Sequence, residues 1–499
     1  MKRKFFKFPH PILIFIYFSI IIIILSAILS IFDYSISYQK FDRNLGKIIE
    51  ERVSVQSLLN FKGIEFIFNS MVSNFTGFTP LGTVLVSLLG VGICEQTGLI
   101  EKSLKKVITF SSKRIITAIV VLSGIVSSIA SDTGYLVIIP LGGIIFYHFK
   151  RSPIAGILCA FAGASGGFSA NLFIGTLDPQ LAGVATEAAK LIDSRYLVTP
   201  LASYYFMFLS TILLTILGVL VTEKIIEPKI SKYKIETSIV KKELVSTEEK
   251  NLENNGLKVA YFSLFLFIIF ILIFFSYNYY LLHRTFQVKQ WYSQGIIAII
   301  MFFFLVPGIT YGVITKKIKK SLDIIQMLIK SFEKMASYII LIFFMSQFVA
   351  YMNYTNLSTY IAVLGINLFK VIHLSKISLV IIFVIITATI NLFMTGAFSK
   401  WAIIAPIFVP IFMELGLSPE LVLTAYRIGD SVTNIITPTL SFLPMILVYI
   451  QEYNSEIDMG DIISLMFYYS LVFFVAWTLL LVVFVAFNLP LGPNSYISL

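Results

Sequence analysis

The chain has 499 residues, of which 57% are hydrophobic and only 13% are charged, and its formal net charge is +11. Soluble domains carry about 25% charged residues, so the composition excludes an ordinary soluble protein and predicts an all-α polytopic membrane protein. The positive charge does not indicate a nucleic-acid partner, because many basic residues stand beside apolar runs, where they set membrane topology.

The N-terminal region predicts one transmembrane helix. Four basic residues precede an apolar run of about 20 residues, which is the length that crosses a bilayer. We therefore expect a cytoplasmic N-terminus, a first transmembrane helix in residues 1–32, and an external segment, 33–75, that includes an amphipathic surface helix.

The first repeat is expected at 76–222, and it begins with a helix that returns to the cytoplasm. The stretch 115–149 has basic residues at both ends and the sequence SDTG in its middle. Each half has only about 15 residues, which is short for a span. The pattern predicts a re-entrant hairpin with Asp132 at its tip, near the membrane midplane. An interrupted helix at 153–188 and a full helix follow.

The second half has the same order of elements. The hydrophilic segment 223–256 is interpreted as a cytoplasmic linker, and scaffold helices with a basic loop fill 257–334. The second repeat, 335–499, contains a hairpin at 377–414 and an interrupted helix at 420–450.

The predicted topology has nine spans and two hairpins, so the C-terminus lies outside. A rival count of eleven full spans remains open, in which each hairpin stretch crosses the membrane. The two series of elements enter the membrane from opposite sides, which predicts an inverted repeat, a plan of many secondary transporters.

Two motifs interrupt the apolar sequence, one in each half. They are GASGGFSANLFIGTLDP at Gly163–Pro179 and RIGDSVTNIITP at Arg427–Pro438. Aligned on Gly166 and Gly429, each motif has an Asn five residues later. Paired polar breaks of this kind indicate the binding site of a transporter.

Five ionisable residues are predicted at membrane depth. Each costs about 2.5–3.5 kcal/mol at a helix centre if unpaired, so they indicate either ion pairs that join helices or a transport site. With the neighbouring polar and aromatic residues, the candidate substrate and coupling set is Asp132, Asn171, Asp178, Asn391, Ser399, Lys400, Trp401, Arg427, Asp430, Asn434 and Pro438.

Arg427 and Asp430 are three residues apart and share a helix face. One interpretation is an intrahelical ion pair. The other is that Arg427 binds a substrate carboxylate through its planar guanidinium while Asp430 carries a coupling proton.

Asp178 precedes Pro179, and proline disfavours helix at the residue before it. The carbonyl groups freed by such a break, together with the carboxylate, suit a proton step or a Na⁺ ion near Asn171, Asp178 and Asn434. The alternative is a helix break with no other role.

Trp401 suits stacking on an aromatic substrate, although most membrane tryptophans are interfacial anchors.

No zinc-protease motif or nucleotide-binding P-loop is present in the sequence. The sequence therefore predicts no enzyme, no ATP-driven pump, and no cofactor apart from a coupling H⁺ or Na⁺.

The segments GASGGFSANLFIGTLDPQLAG, SKWAIIAPIFVP and YRIGDSVTNIITPTLSFLP resemble the AbgT family of p-aminobenzoyl-glutamate transporters, and the resemblance extends over nearly the whole chain. It implies a homodimer in a bacterial inner membrane, nine helices with two hairpins, and an elevator motion. It also implies p-aminobenzoyl-glutamate, a folate breakdown product, as substrate, or proton-driven export of sulfonamides.

The resemblance implies transport roles for Asp178, Trp401, Arg427, Asp430 and Pro438. One position departs from the family pattern. The family often has a small hydroxyl residue three positions before the Trp, where this chain has Phe398, followed by Ser399.

Two alternatives to this function remain at the level of sequence. One is a Na⁺-coupled dicarboxylate carrier of the same superfamily. The other is an intramembrane enzyme or a channel, which the sequence favours less because it contains no reactive constellation.

Overall fold

The computed structural model describes residues 11–32, 35–42, 47–109, 115–128, 133–230, 247–282, 288–333, 335–361, 375–394, 396–437, 440 and 442–499. Within these ranges nearly all regular structure is helical. This confirms the prediction of a helical polytopic protein.

The exception is a two-stranded antiparallel sheet that the sequence analysis did not predict. Its strands are β1 (Ser35–Asp42) and β2 (Lys47–Ser54), paired in register from Ser35 opposite Ser54. Both strands lie in the segment that was expected outside the membrane.

The helices of the first half vary from full spans to single turns. They are α1 (Pro11–Ile31), α2 (Phe61–Thr76), α3 (Thr79–Thr97), α4 (Leu99–Thr109), α5 (Ile116–Ser127), α6 (Thr133–His148), α7 (Pro153–Phe161), α8 (Leu177–Ala189), α9 (Tyr204–Val221) and α10 (Glu227–Ile230).

The second half begins with the longest helix of the described chain. Its helices are α11 (Thr247–Leu282), α12 (Val288–Ile314), α13 (Ser321–Glu333), α14 (Ala336–Tyr354), α15 (Lys376–Asn391), α16 (Ala397–Glu414), α17 (Pro419–Val432), α18 (Leu443–Gln451) and α19 (Met459–Ala486).

Local sequence sets several helix ends. Helix α3 ends at Gly98, whose φ of +75° is easy for glycine and strained for other residues. Helix α17 begins with Pro419 after Ser418, whose hydroxyl accepts a hydrogen bond from the backbone N–H of Leu421 at 3.2 Å. Asp458 and the first turn of α19 form a capping box.

Seven helices in the described part of the chain are long and apolar enough to span a membrane, or eight if the bent pair α13 and α14 is one span. The nine-span topology stays a prediction. Helix α16 is among the seven although it contains Pro406 and Pro410. Helices α5, α6 and α15 are apolar but shorter than a span, and α5 packs against α6.

Both polar motifs interrupt helices. In the first half, α7 continues as a π-helical turn, Ala162–Gly166, and regular helix resumes only at Leu177. In the second half, α17 ends at Val432, a 3₁₀ turn follows at Asn434–Ile436, and α18 begins at Leu443.

The predicted linker is helical at its described ends. A π-helical turn, Thr222–Ile226, joins α9 to α10, and α11 begins at Thr247. The membrane-spanning part of α9 therefore runs directly into the segment that was interpreted as a linker.

The main hydrophobic core surrounds α17, in which every residue is buried. A smaller cluster joins α3, α11 and α12 through residues such as Cys94, Leu257 and Tyr311. The first part of the second polar motif, Arg427–Val432, lies on α17 and is thus placed in the interior.

Candidate site at the paired helix breaks

The two polar motifs lie side by side. The backbone N–H of Ser169 donates to the hydroxyl of Ser431 at 3.1 Å, and Arg427 donates from Nη2 to the carbonyl of Ser169 at 2.9 Å. Gly166 also faces Ile435, since a Cβ on this glycine would lie 3.2 Å from that side chain. The helix breaks of the two halves therefore form one buried polar region.

Arg427 forms an ion pair across this region with Asp178. The distance from Nη1 to Oδ1 is 2.7 Å, and the two side chains are 3% and 5% exposed. The Nε of Arg427 is buried and has no hydrogen-bond partner among the described residues. The Nε–H donor of the guanidinium is thus not satisfied by the described residues.

Asp178 is held in place by its own loop. Its Oδ2 accepts hydrogen bonds from the backbone N–H of Gly175 at 2.7 Å and from the Nδ2 of Asn171 at 3.3 Å. The carboxylate stands in the first turn of α8, where negative charge is favourable.

The expectation that Pro179 breaks the helix is wrong. Pro179 lies in the first turn of α8, where the missing N–H removes no intrahelical hydrogen bond. The break is upstream, between Gly166 and Leu177.

Asp430 has a different basic partner, Lys400 on α16. The distance from Nζ to Oδ1 is 2.6 Å, and each side chain is 1% exposed. Lys400 also donates to the Oδ1 of Asn391, at the end of α15. The Oδ2 of Asp430 is buried and has no hydrogen-bond partner within the described ranges.

The intrahelical pair considered for Arg427 and Asp430 is therefore not formed. Each residue binds a partner on another helix, Asp178 for Arg427 and Lys400 for Asp430. Two positive and two negative side chains at predicted membrane depth thus neutralise one another in pairs, which lowers the cost of burying them.

Asn391 joins the end of α15 to the second helix break. Its Nδ2 lies 2.6 Å from the carbonyl of Asp430, 2.9 Å from the Oγ1 of Thr433 and 2.9 Å from the Oδ1 of Asn434. The structure therefore brings Asn391 and Asn434 into direct contact, as members of one polar cluster with Lys400.

Trp401 is fully buried and packs inside the protein. Its indole N–H donates to the carbonyl of Leu181 at 2.9 Å, and its ring centroid lies 4.7 Å from that of Tyr426. The indole thus joins α16 to α8 and α17, and it does not lie at an exposed interface.

Among the described residues, no contact joins Phe398 to either ion pair. The Phe398 ring packs against Tyr338 of α14, with centroids 4.9 Å apart, and Ser399 is half-buried. Asp132 and Pro438 lie outside the described residues.

A cavity of about 10 Å³, room for roughly one water molecule, borders the first ion pair. Asn171, Asp178, Tyr204 and Arg427 contribute to its wall together with apolar side chains. In this conformation the cavity is too small for an aromatic solute, so binding such a solute requires the surrounding elements to separate.

One side-chain hydrogen bond in each half of the chain spans the same number of residues. Ser128, just after α5, donates to Asn171 at 2.9 Å, and Asn391 donates to Asn434 at 2.9 Å. Each bond joins residues 43 positions apart. Each half thus ties the end of a short apolar helix, α5 or α15, to the Asn of its own motif.

Tyr426 is a site residue that the sequence analysis missed. Its hydroxyl donates to the carbonyl of Ala397 at the start of α16 and lies 3.3 Å from the Oδ1 of Asp430. The signal was available, because positions 426 and 430 are four residues apart and share a helix face.

Comparison with known proteins agrees with the fold of a helical membrane protein. Residues 4–499 match the model of the family described as "AbgT putative transporter family". The p-aminobenzoyl-glutamate transport protein of Escherichia coli (strain K12) is 33% identical over 494 residues, which cover 98% of this chain and 94% of that protein.

Two solved structures are similar over nearly their whole length. The YdaH transporter of Alcanivorax borkumensis has 35% identity and a TM-score of 0.86, with 97% of this chain and 100% of that chain covered. MtrF of Neisseria gonorrhoeae, described within a class of antimetabolite efflux pumps, has 39% identity and a TM-score of 0.86, with 98% and 97% covered.

Proposed function

This chain belongs to the AbgT family of transporters, and we propose that it is a secondary active transporter of p-aminobenzoyl-glutamate or a related aromatic carboxylated solute. The relative from Escherichia coli is named for transport of that compound. The protein is a membrane transporter and not an enzyme.

The observation that carries the proposal is the Arg427–Asp178 ion pair beside the cavity. Arg427 already binds one carboxylate in a nearly dry site, and its planar guanidinium suits another carboxylate equally well. A carboxylate of the substrate can replace Asp178 without leaving the buried guanidinium unpaired, a state that would cost several kcal/mol.

The same exchange supplies coupling to an ion gradient. Once substrate takes Arg427, the Asp178 carboxylate loses its positive partner and is left as an uncompensated buried charge, which a bound cation such as a proton would neutralise. Substrate binding and proton binding then reinforce each other reciprocally. We therefore favour protons as the coupling ion and Asp178 as their carrier, with Na⁺ as the alternative.

Export of sulfonamide-type antimetabolites is a second candidate, favoured by the similarity to MtrF. In an exporter driven by proton antiport, substrate binding would release a proton. The direction of proton transfer on substrate binding therefore separates the two functions.

The arrangement in the membrane is part of the proposal. We infer an inverted repeat with two re-entrant hairpins, α5–α6 and α15–α16, that moves as an elevator within a homodimer of a bacterial inner membrane. The equal 43-residue separation of the Ser128–Asn171 and Asn391–Asn434 bonds supports the repeat. The N-terminus is proposed to be cytoplasmic and the C-terminus external, following the positive-inside rule.

The test is transport in proteoliposomes. Purified protein should move labelled p-aminobenzoyl-glutamate, and an imposed pH gradient should raise the rate, whereas a Na⁺ gradient at constant pH should not. Substrate binding in a weakly buffered solution should be accompanied by proton uptake in wild type and not in Asp178→Asn.

Three variants sharpen this test. Arg427→Ala should lose substrate binding, and Arg427→Lys, which keeps the charge but not the planar fork, should bind weakly. Asp178→Asn, which removes the proposed proton carrier, should keep substrate binding and lose coupled transport. Equal binding by wild type and Arg427→Ala would remove Arg427 from the site.

Other outcomes would favour the alternatives. Competition by succinate but not by p-aminobenzoate compounds, with dependence on Na⁺, would indicate a dicarboxylate carrier. A large conductance that follows the gradient and survives both Asp178→Asn and Asp430→Asn would indicate a channel.

A further inference from the structure

The Lys400–Asp430 pair is a second charged centre, and the carboxylate exchange proposed above does not use it. Its ammonium is met by two oxygens, the Oδ1 of Asp430 and the Oδ1 of Asn391. Both side chains of the ion pair are 1% exposed, so the ammonium is enclosed by protein and not by water.

The neighbouring groups fix which atom of Asn391 faces the ammonium. Its Nδ2 is surrounded by three acceptors, on Asp430, Thr433 and Asn434, at 2.6–2.9 Å. Turning the amide over would point its oxygen at those acceptors and its N–H groups at Lys400. The Oδ1 is therefore held toward the ammonium as a cation ligand.

These oxygens are of the type that binds a hard cation. A carboxylate, an amide carbonyl and backbone carbonyl groups at an interrupted helix are the ligands that transporters use for Na⁺. Asp430 also has a buried Oδ2 without a hydrogen-bond partner in the described part of the chain. This second carboxylate oxygen can coordinate a cation while Oδ1 faces the Lys400 position.

The oxygens of Asp430 and Asn391 around the ammonium are called the second half-site. We propose that the ammonium of Lys400 is the permanently bound cation of this half-site and occupies the position that a coupling Na⁺ would take between Asp430 and Asn391. The residue at position 400 then decides whether this half-site uses an alkali cation. A tethered ammonium supplies the same charge as Na⁺ but cannot dissociate, so this half-site takes no energy from a Na⁺ gradient.

The proposal rests on the proposed function and deepens it, since it gives a reason to favour protons over Na⁺ at this position, but its test needs no transport substrate. Purified protein is prepared in choline chloride, and its Tm is followed by intrinsic fluorescence as NaCl replaces choline chloride at constant ionic strength. Failure of p-aminobenzoyl-glutamate transport would leave this measurement unaffected.

Lys400→Ala should create a Na⁺ site at the position of the lost ammonium. We expect a saturable rise in Tm with NaCl for this variant, because a ligand that binds only the folded state stabilises it. Wild type should show no rise that depends on Asp430. Lys400→Gln, whose amide fills the same space, is the matched control and should show no rise.

The double variant Lys400→Ala/Asp430→Asn should lose the Na⁺ response, which assigns the site to the Asp430 carboxylate. A folded Lys400→Ala protein whose Tm does not respond to NaCl would overturn the proposal. Folding of Lys400→Ala in NaCl but not in choline chloride would support it.

Wild type provides the decisive comparison if Lys400→Ala folds in neither salt. A Na⁺-specific rise in Tm of wild type that Asp430→Asn abolishes would overturn the proposal. Absence of such an Asp430-dependent rise would support it.

Discussion

The Arg427–Asp178 ion pair predicts a strong energetic coupling between the two halves of the chain. The perturbation is a double-mutant cycle made of Arg427→Gln, Asp178→Asn and the combined variant. Both substitutions keep a polar side chain of similar size and remove one charge each, so the cycle reports mainly on the ion pair.

The burial and the short distance of the pair set the expected size of the coupling energy. The paired atoms are 2.7 Å apart and the side chains are 3% and 5% exposed, so either single variant leaves an uncompensated buried charge. Breaking a buried pair in this way costs about 3–5 kcal/mol. The combined variant leaves no unpaired charge, so its cost should be close to that of one single variant, which gives a coupling energy of about 3–5 kcal/mol.

The assay is reversible unfolding in mixed micelles of increasing SDS fraction, followed by circular dichroism, for wild type and the three variants. A matched cycle on Arg427 and Asp430 is the control, because those residues are adjacent on one helix face but bind different partners. Its coupling energy should be clearly smaller than that of the Arg427–Asp178 cycle.

Additive effects of Arg427→Gln and Asp178→Asn would refute the reasoning, as would a larger coupling in the control cycle. The second result would mean that the intrahelical pair, not the pair across the two motifs, holds the guanidinium in the membrane-embedded protein.

Two further predictions concern how α15 and α16 pack against α17. Gly429→Ala should reduce the unfolding free energy by more than about 2 kcal/mol and impair transport, because its Cβ would lie 2.0 Å from the hydroxyl oxygen of Thr387 on α15. The control is Gly82→Ala, which has no atom within 4 Å of the new Cβ. In the same unfolding assay this control should be neutral or slightly stabilising. Tyr426→Phe should lower the unfolding free energy by about 0.5–1.5 kcal/mol and increase protease cleavage near Ala397, since it removes the hydroxyl that joins the start of α16 to Asp430. Unchanged cleavage and stability would show that this hydroxyl does not hold the start of α16 in place.

Much of the helix pattern was readable from local sequence. The apolar run at Pro11–Ile31 and the starts of helices at Pro153 and Pro419 follow from hydropathy and helix-end preferences, which depend on neighbouring residues only. The two-stranded sheet at Ser35–Ser54 was not predicted, because strand formation depends on the partner strand as well as on the local sequence.

The sequence by itself determined that charged residues lie at paired helix breaks in a membrane protein. It did not determine which charge pairs with which. Spacing along one helix made Arg427 and Asp430 natural partners, whereas the packing of α8, α16 and α17 gave each of them a partner on another helix.

The tertiary structure decided this because buried charges pair with whatever opposite charge the packed helices bring within reach. That information is absent from the local periodicity of any single segment. The same reason explains Trp401, whose residue type suggested a ligand contact or an interfacial anchor and whose buried position between α8 and α17 only the assembled helices could show.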